Sequence, residues 1–396
     1  MSRIQPRGDA VTATALQAIP ANAEDCAELL VRASRERRTV RIAGGSTKSY
    51  LGDARETDIE LGTMAIAGIV DHVPADLTIT VRGGSPLADV ASALAVAGQF
   101  LPLDPPHGER ATVGGVIAAN ANGFWRARYG GVRDLLIGTR TALADGSVVR
   151  SGGRVVKNVA GYDLNKLLVG SLGTLGVIVE ATFKVLPLPA ARDGRLGRFE
   201  NAADAFAAAD AILRAPARAE SIAIARRDGA WILLVEARGD APAVGRCVAD
   251  AEREVRSRGG STDAFAGGLR DLRELPERAT DGALVRLALP LAAQARLAET
   301  AVSLDTFREL AADAASGIQR MHLVGEDDRV VADADALLLA ARAAGGSGRV
   351  ERRAQRLRAR LATWSARPHG EVLMRRVKDA FDPAGILEPG RSVLAP

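Results

Sequence analysis

Between Leu101 and Pro189 glycines, short polar residues and β-branched apolar runs alternate at a density that ordinary core packing does not require. The segment holds Pro105-Pro106, Thr112-Val113-Gly114-Gly115, Ala118-Ala119-Asn120-Ala121-Asn122-Gly123, Lys157-Asn158-Val159-Ala160-Gly161-Tyr162-Asp163 and Gly170-Ser171-Leu172-Gly173-Thr174-Leu175-Gly176. Glycine lets the backbone approach a ligand closely and adopt positive φ, so main-chain N–H groups can face anionic or carbonyl oxygens. One such cluster reads as a sharp turn in a crowded α/β domain. Several within ninety residues, beside Asn, Thr and Ser, point to an extended ligand cleft.

An earlier turn belongs to the same cleft. Thr39 to Ala43 reads as a strand running into Gly44-Gly45-Ser46-Thr47-Lys48, whose amides, hydroxyls and ammonium can all donate to an anion. The lysine follows the hydroxyl residues, so this is not a P-loop. Gly170-x-x-Gly173-x-x-Gly176 is spaced wrongly for a Rossmann fingerprint, and a β-type run, Val177 to Phe183, follows where a helix should begin.

The Gly-Gly-Ser-Thr-Lys loop, together with Thr112-x-Gly114-Gly115, Lys157 to Leu164 and Gly173-Thr174-Leu175-Gly176-Val177, resembles the FAD-binding domain of the vanillyl-alcohol oxidase superfamily. More narrowly, the chain from about Asn22 onward is similar to the second, smaller flavin subunits of bacterial glycolate oxidases; Leu101 to Pro106, Val132 to Leu135 and Asp382 to Arg391 add to the likeness. The resemblance implies an α+β fold: a two-lobed FAD-binding domain over 1–189, a smaller cap of antiparallel sheet and helices over 190–370, and a helix and tail over 371–396 returning to the FAD domain.

It also implies roles for residues. Gly44 to Lys48 and the Thr112, Gly114, Gly115 loop would wrap the FAD pyrophosphate, with Lys48 offsetting phosphate charge. Gly173, Thr174, Gly176 and Val177 would line the flavin, and Pro105 and Asn120 belong to the same cleft. Asn158, Gly161, Tyr162 and Asp163 would reach the ribityl chain or orient the loops; for Asn158 and Asp163 a role in satisfying loop amides, and for Tyr162 a role in packing, are the alternatives. FAD is expected to be non-covalent, because His107, the one histidine on a suitable loop, is not at the usual attachment position.

Oxidising a 2-hydroxy acid calls for a group that binds the carboxylate and one that removes the hydroxyl proton. His107, Arg320 and His322 are the candidates, each with a surface or structural role as its alternative; His72 and His369 read as surface residues. Relatives that oxidise D-2-hydroxy acids carry a Gly-His-x-Gly-Asp-Gly-Asn-type segment in the cap. The nearest text here, Met321 to Asp327, does not match it, and no His/Asp/Glu grouping has metal-ligand spacing, so no metal is expected. That departure favours a subunit working with a larger catalytic flavin subunit and an iron–sulfur subunit toward a membrane acceptor. A self-sufficient dehydrogenase and an assembly subunit without useful flavin are the alternatives.

Composition narrows the rest. The formal charge of +4 over 396 residues does not indicate nucleic-acid binding. With two cysteines, Cys26 and Cys247, the chain cannot by itself hold an iron–sulfur cluster. No apolar run approaches the ~20 residues of a membrane span. Arg3 and Arg7 are followed by no apolar h-region. The expected location is therefore cytoplasmic, with membrane contact only peripheral and through partners at the inner face.

Helices are expected from the Asn22 cap through Ala33, over Pro86 to Ala97 with Ser85 as the cap, and over Ala202 to Leu213, Ala243 to Arg256, Leu291 to Thr300 and Ala332 to Ala343. Ala190 to Leu196 reads as a linker. Arg349 to Arg360 reads as a basic helix, either a solvated face or a docking face for an acidic partner or anionic lipid.

Overall fold

The computed structural model describes residues 15–153, 163–265, 269–364 and 368–394. Asn22 caps the first helix, Ala23–Glu36: its Oδ1 accepts from the Asp25 N–H at 2.8 Å, and the helix ends at Arg37 in the left-handed region. Cys26, Leu30 and Ala33 share one face and are buried with Val40, Ile59 and Leu61 of the first sheet. That sheet is parallel, with order Leu16–Ala18, Ile59–Gly62, Val40–Ala43.

A second, antiparallel sheet of five strands has the order Ile69–Val73, Thr78–Arg82, Val177–Lys184, Leu136–Ala142, Val148–Gly152. The two sheets close on one another at Gly83-Gly84. A Cβ on Gly83 would sit 1.9 Å from the Ile178 carbonyl oxygen, and one on Gly84 would sit 1.9 Å from that of Thr63. Helices Leu87–Val96 and Val113–Ala119 cover the five-stranded sheet with Leu94, Val116 and Ile117.

Residues 191–353 contribute an antiparallel sheet of eight strands in the order Ser261–Ala264, Ala191–Phe199, Ala230–Gly239, Ser221–Arg227, Phe307–Asp313, Ile318–Leu323, Ala283–Ala288, Ser347–Arg353. Side chains alternate along each strand. Val285 and Leu287 join Leu337, Leu338 and Ile212 in a core under helices Ala202–Arg214, Ala241–Ser257, Gln294–Val302 and Asp327–Ala343. Leu284 faces the other way and packs with Leu272, Leu275 and Phe124, the last reaching across from the N-terminal half. The opposite face of this sheet therefore looks onto the loops that carry Lys48 and Phe124.

The chain end returns to the beginning. Val40 N–H donates to Ile386 O at 2.8 Å, and Glu388 N–H donates to Val40 O at 2.9 Å. Helix Glu371–Phe381 ends at Asp382, where Pro383 follows, and Lys378 Nζ donates to Thr174 O at 2.8 Å.

Three local expectations are corrected. Ala190 to Leu196 is not a linker: Ala191–Phe199 pairs along its whole length with Ala230–Gly239. Arg349 to Arg360 is not a helix but strand Ser347–Arg353, followed by the 3₁₀ turn Gln355–Leu357, and Arg349, Arg352, Arg353, Arg356 and Arg360 have partners within the chain. Arg352 donates to Pro276 O at 2.7 Å, Arg353 pairs with Asp53, and Arg356 pairs with Asp327 and Asp281. Ser85 does not cap Leu87–Val96, because its hydroxyl is bound to Gly68.

Candidate functional site

Two cavities meet end to end where the halves face each other. The first is walled by Gly44 to Ser49, Thr112, Gly114, Gly115, Ala118, Ala119, Leu172, Gly173, Gly176, Val177, Arg41, Glu388 and Arg391. The second lies between the eight-stranded sheet and the segments Lys48 to Leu51 and Ala119 to Arg126, and Lys48 and Ala119 belong to both.

Close backbone approach builds the first cavity. Gly45 lies against Arg110, where a Cβ would stand 1.9 Å from the carbonyl oxygen, and Gly44 lies against Thr112. The loop after strand Val40–Ala43 is thereby pressed onto the loop before helix Val113–Ala119. Ser46 adopts φ 51° in this turn. Among the described residues, the main-chain N–H groups of Gly45, Ser46, Thr47 and Lys48 donate to no protein acceptor. Gly45, Thr47 and Lys48 are half-buried and Ser46 is exposed, so these donors are free to face a ligand. Gly114, Gly115, Ala118, Gly173 and Gly176 keep much of the remaining wall free of long side chains.

Lys48 joins the cavities. Its Nζ donates to Pro106 O at 2.7 Å. Burial pushes its pKa down to about 8, against the pull of the Glu274 and Glu351 carboxylates. Glu388 closes the opposite side: its Oε1 accepts from Ile42 N–H at 2.7 Å, and its Oε2 pairs with Arg391 at 2.8 Å.

The second cavity is lined by charged side chains on the open face of the eight-stranded sheet. Arg286, Arg320, Arg349 and Glu351 come from its last three strands, Asp313 from the strand before them, and Arg126, Arg273, Tyr50 and Phe124 close the remaining sides. Glu351 Oε2 accepts from Arg320 Nε at 2.6 Å. Burial alone would raise the Glu351 pKa, but the guanidiniums of Arg320, Arg349 and Arg286 outweigh it and hold the carboxyl at about 2. Burial raises Asp313 to about 6, and Ser316 is its hydrogen-bonding partner. Asp104 fixes the loop that delivers Phe124: its Oδ2 accepts from Phe124 N–H at 2.9 Å, and burial raises it to about 7.

The structure sorts the residues expected from sequence. Gly44, Gly45, Ser46, Thr47, Lys48, Thr112, Gly114, Gly115, Gly173, Gly176 and Val177 share the first cavity, while Asn120 and Arg320 line the second. Thr174 lines neither; its hydroxyl donates to Ser171 O at 2.7 Å. Asp163 is exposed, and Asn158, Gly161 and Tyr162 lie outside the described residues.

Pro105 and His107 border a neighbouring cleft. There His107 Nδ1 stands 3.2 Å from Glu277 and 3.6 Å from Glu274, a grouping that sequence spacing could not show because the partners are 167 and 170 residues apart. Both glutamates are already engaged, by Arg110 and Arg273, and the group clasps the two halves together. His322 Nε2 is hydrogen-bonded to Asp281 O at 2.7 Å, away from both cavities. His72 is half-buried on Gln99 rather than at the surface.

Sequence reasoning missed Arg126, Arg273, Arg286, Arg349, Glu351, Glu388 and Arg391. Arg286 carried a readable signal: a lone charge amid Ala283-Leu284-Val285 and Leu287-Ala288 on a strand otherwise buried on both faces.

Comparison with known proteins agrees with this architecture. Residues 14–152 match the FAD binding domain family, and residues 356–392 match the C-terminal domain of FAD linked oxidases. The chain is 48% identical over 151 residues to glycolate oxidase subunit GlcE of Escherichia coli (strain K12), covering 38% of this chain and 43% of that protein. It is 35% identical over 184 residues to glycolate oxidase subunit GlcD of Bacillus subtilis (strain 168), covering 46% and 39%. With D-2-hydroxyglutarate dehydrogenase of Xanthomonas citri pv. viticola it shares 32% over 173 residues, covering 43% and 37%. These matches span less than half the length of each relative. Among solved structures, p-cresol methylhydroxylase with substrate bound superposes with TM-score 0.74 at 17% identity, over 96% of this chain and 88% of that one. An alkyldihydroxyacetonephosphate synthase superposes with TM-score 0.73 at 16% identity, over 94% and 75%. FAD is the cofactor these matches indicate, and four free main-chain donors, an ammonium and a glycine-walled slot fit its pyrophosphate.

Proposed function

We propose, from the premise that this chain belongs with the FAD-linked oxidases, that it is the FAD-binding subunit of a glycolate oxidase-type complex acting on small 2-hydroxy acids. FAD, when bound, supplies the acceptor for a hydride from the carbon bearing the hydroxyl. The N–H groups of Gly45 to Lys48, with Thr112 and Gly115 opposite, would hold the pyrophosphate, and Gly173, Gly176 and Val177 would flank the remainder of the cofactor. The arginines of the second cavity bind and orient the acid carboxylate. Phe124 and Leu51 limit water at that end, where charge–charge interactions strengthen as solvent is excluded.

The observation that carries this reading is the shared wall at Lys48 and Ala119: a slot of main-chain donors borders a chamber of guanidiniums. A chain whose flavin end and acid end are neighbours suits oxidation of a hydroxy acid. Electron flow from here to a membrane acceptor would pass through a larger flavin subunit and an iron–sulfur subunit, since the two cysteines, both buried, cannot hold a cluster. Val372, Leu373 and Met374 on helix Glu371–Phe381 expose apolar surface of the kind that assembly covers.

Native co-purification tests the assembly. Recovery with a second flavoprotein and a cysteine-rich partner is expected; recovery alone, fully active, overturns it. Anaerobic addition of glycolate or D-lactate to the complex should bleach the 450 nm flavin band, and an unchanged spectrum with every 2-hydroxy acid would reject the chemistry.

A further inference from the structure

Three guanidiniums stand in one row across three neighbouring strands. In the pairing registers Arg286 is opposite Arg320 on one side and opposite Arg349 on the other. Like charges placed directly opposite in a sheet destabilise it, and Glu351, held by Arg320 and Arg349, offsets part of that repulsion. Arg286 itself has no hydrogen-bond or ion-pair partner among the described residues. Burial and the charges of Arg349, Arg320 and Arg126 push its pKa down to about 9, with Glu351 the opposing carboxylate. Arg126, at the other side of the chamber, is likewise without a side-chain partner among the described residues, while Arg273 has Glu274. Six cationic side chains and two carboxylates line the chamber, so it carries a surplus of positive charge that one singly charged acid does not balance.

We propose that the chamber binds a doubly charged 2-hydroxy acid, a hydroxy dicarboxylate, with Arg286 holding one carboxylate and Arg126 the other. The inference rests on the proposed function for the hydroxy-acid class and goes beyond it in assigning the second charge. Two unpaired guanidiniums facing one cavity have the donor forks that carboxylates accept in pairs of hydrogen bonds. A monocarboxylate can pair with only one fork, while a dicarboxylate anchored at the half-buried Arg286 also reaches the exposed Arg126. Arg126 is thus a specificity residue and Arg286 the anchor.

The experiment uses the FAD-loaded full chain and ligands that cannot be oxidised: glutarate as the dicarboxylate and butyrate as its singly charged counterpart, followed by perturbation of the flavin spectrum and by equilibrium dialysis. Glutarate should bind about tenfold or more tightly than butyrate, a difference of about 1.4 kcal/mol. Arg126→Gln should abolish that preference while leaving butyrate binding in place, and Arg286→Gln should weaken both ligands; Arg126→Lys should restore part of the preference. Equal affinities, no binding of either ligand, a preference unchanged in Arg126→Gln, or inorganic phosphate displacing glutarate at lower concentration would each overturn the proposal. Anaerobic bleaching by D-2-hydroxyglutarate is read separately. A preserved glutarate preference with no bleaching by any hydroxy acid rejects the oxidation chemistry and leaves the dicarboxylate site standing.

Discussion

The glycine-walled cavity and the arginine-walled chamber share Lys48 and Ala119, yet they recognise their ligands in opposite ways. In the first, the donors are main-chain N–H groups, and side chains are removed so that two loops can touch. In the second, the backbone is an ordinary antiparallel sheet, and recognition is carried by charges at the end of long side chains. Damage should differ accordingly: substitutions in the first destroy the shape of the site, whereas substitutions in the second leave the shape and change what it holds.

The largest effect is expected at Gly45. Valine there would drive a Cβ to 1.9 Å from Arg110 O, so the two loops must part. The purified Gly45→Val chain should lose its flavin, read as the collapse of the 450 to 280 nm absorbance ratio after gel filtration. An unchanged ratio would break the distinction between the two ends.

Next comes the buried pair in the chamber. Arg320→Ala leaves Glu351 with weaker compensation and should cost about 3 kcal/mol in urea unfolding, the range for stranding one partner of a buried pair. Because the folded Glu351 carboxyl is held at about 2, below its ordinary 4.5, the pair contributes fully above pH 4.5 and loses its contribution as pH falls toward 2. Glu351→Gln should flatten that acid limb of the stability profile.

Lys48 sharpens the junction between the ends. Burial holds its pKa near 8, so an anion at the glycine loop gains an ammonium below that pH and loses it above. Contact with phosphate favours the protonated form, so flavin affinity should fall as pH rises through 8 and beyond. Lys48→Met should bind FAD more weakly and without that slope in flavin-release titrations. The smallest effect belongs to Glu277→Gln at the clasp: this half-exposed side chain pairs with Arg110 and faces His107, and its loss should cost under about 1 kcal/mol with flavin retained.

The same contrast governs what could be read from the residues. Turn glycines and the Asn22 cap act locally, so the sequence spoke for both the Gly44 to Lys48 loop and the start of helix Ala23–Glu36. The chamber is long-range: Arg126, Arg286 and Arg349 are brought together by strand pairing that no spacing reveals. Strand Ala191–Phe199 looked like a linker because only Leu196 and Phe199 are large and apolar along it. Its glycines are required by contact, with a Cβ on Gly194 meeting Phe265 O at 2.4 Å and one on Gly197 meeting Val255 at 2.9 Å. Strand Ser347–Arg353 looked like a polar helix for a related reason. Val350 alone enters the core, while Arg349 and Glu351 on the other face line the chamber, so the alternation of a buried strand is there but written in charges. Glu388 is over 200 residues from the other walls of the slot, except Arg391, and the returning chain end is what brings it there.

The most direct measurement of this division of labour is flavin content together with the spectral response to glutarate, on the same preparations of the wild-type, Gly45→Val and Arg286→Gln chains. The expected outcome is a yellow wild type that responds, a colourless Gly45→Val, and a yellow Arg286→Gln whose spectrum no longer moves. A yellow Gly45→Val, or an Arg286→Gln that responds as the wild type does, would contradict it.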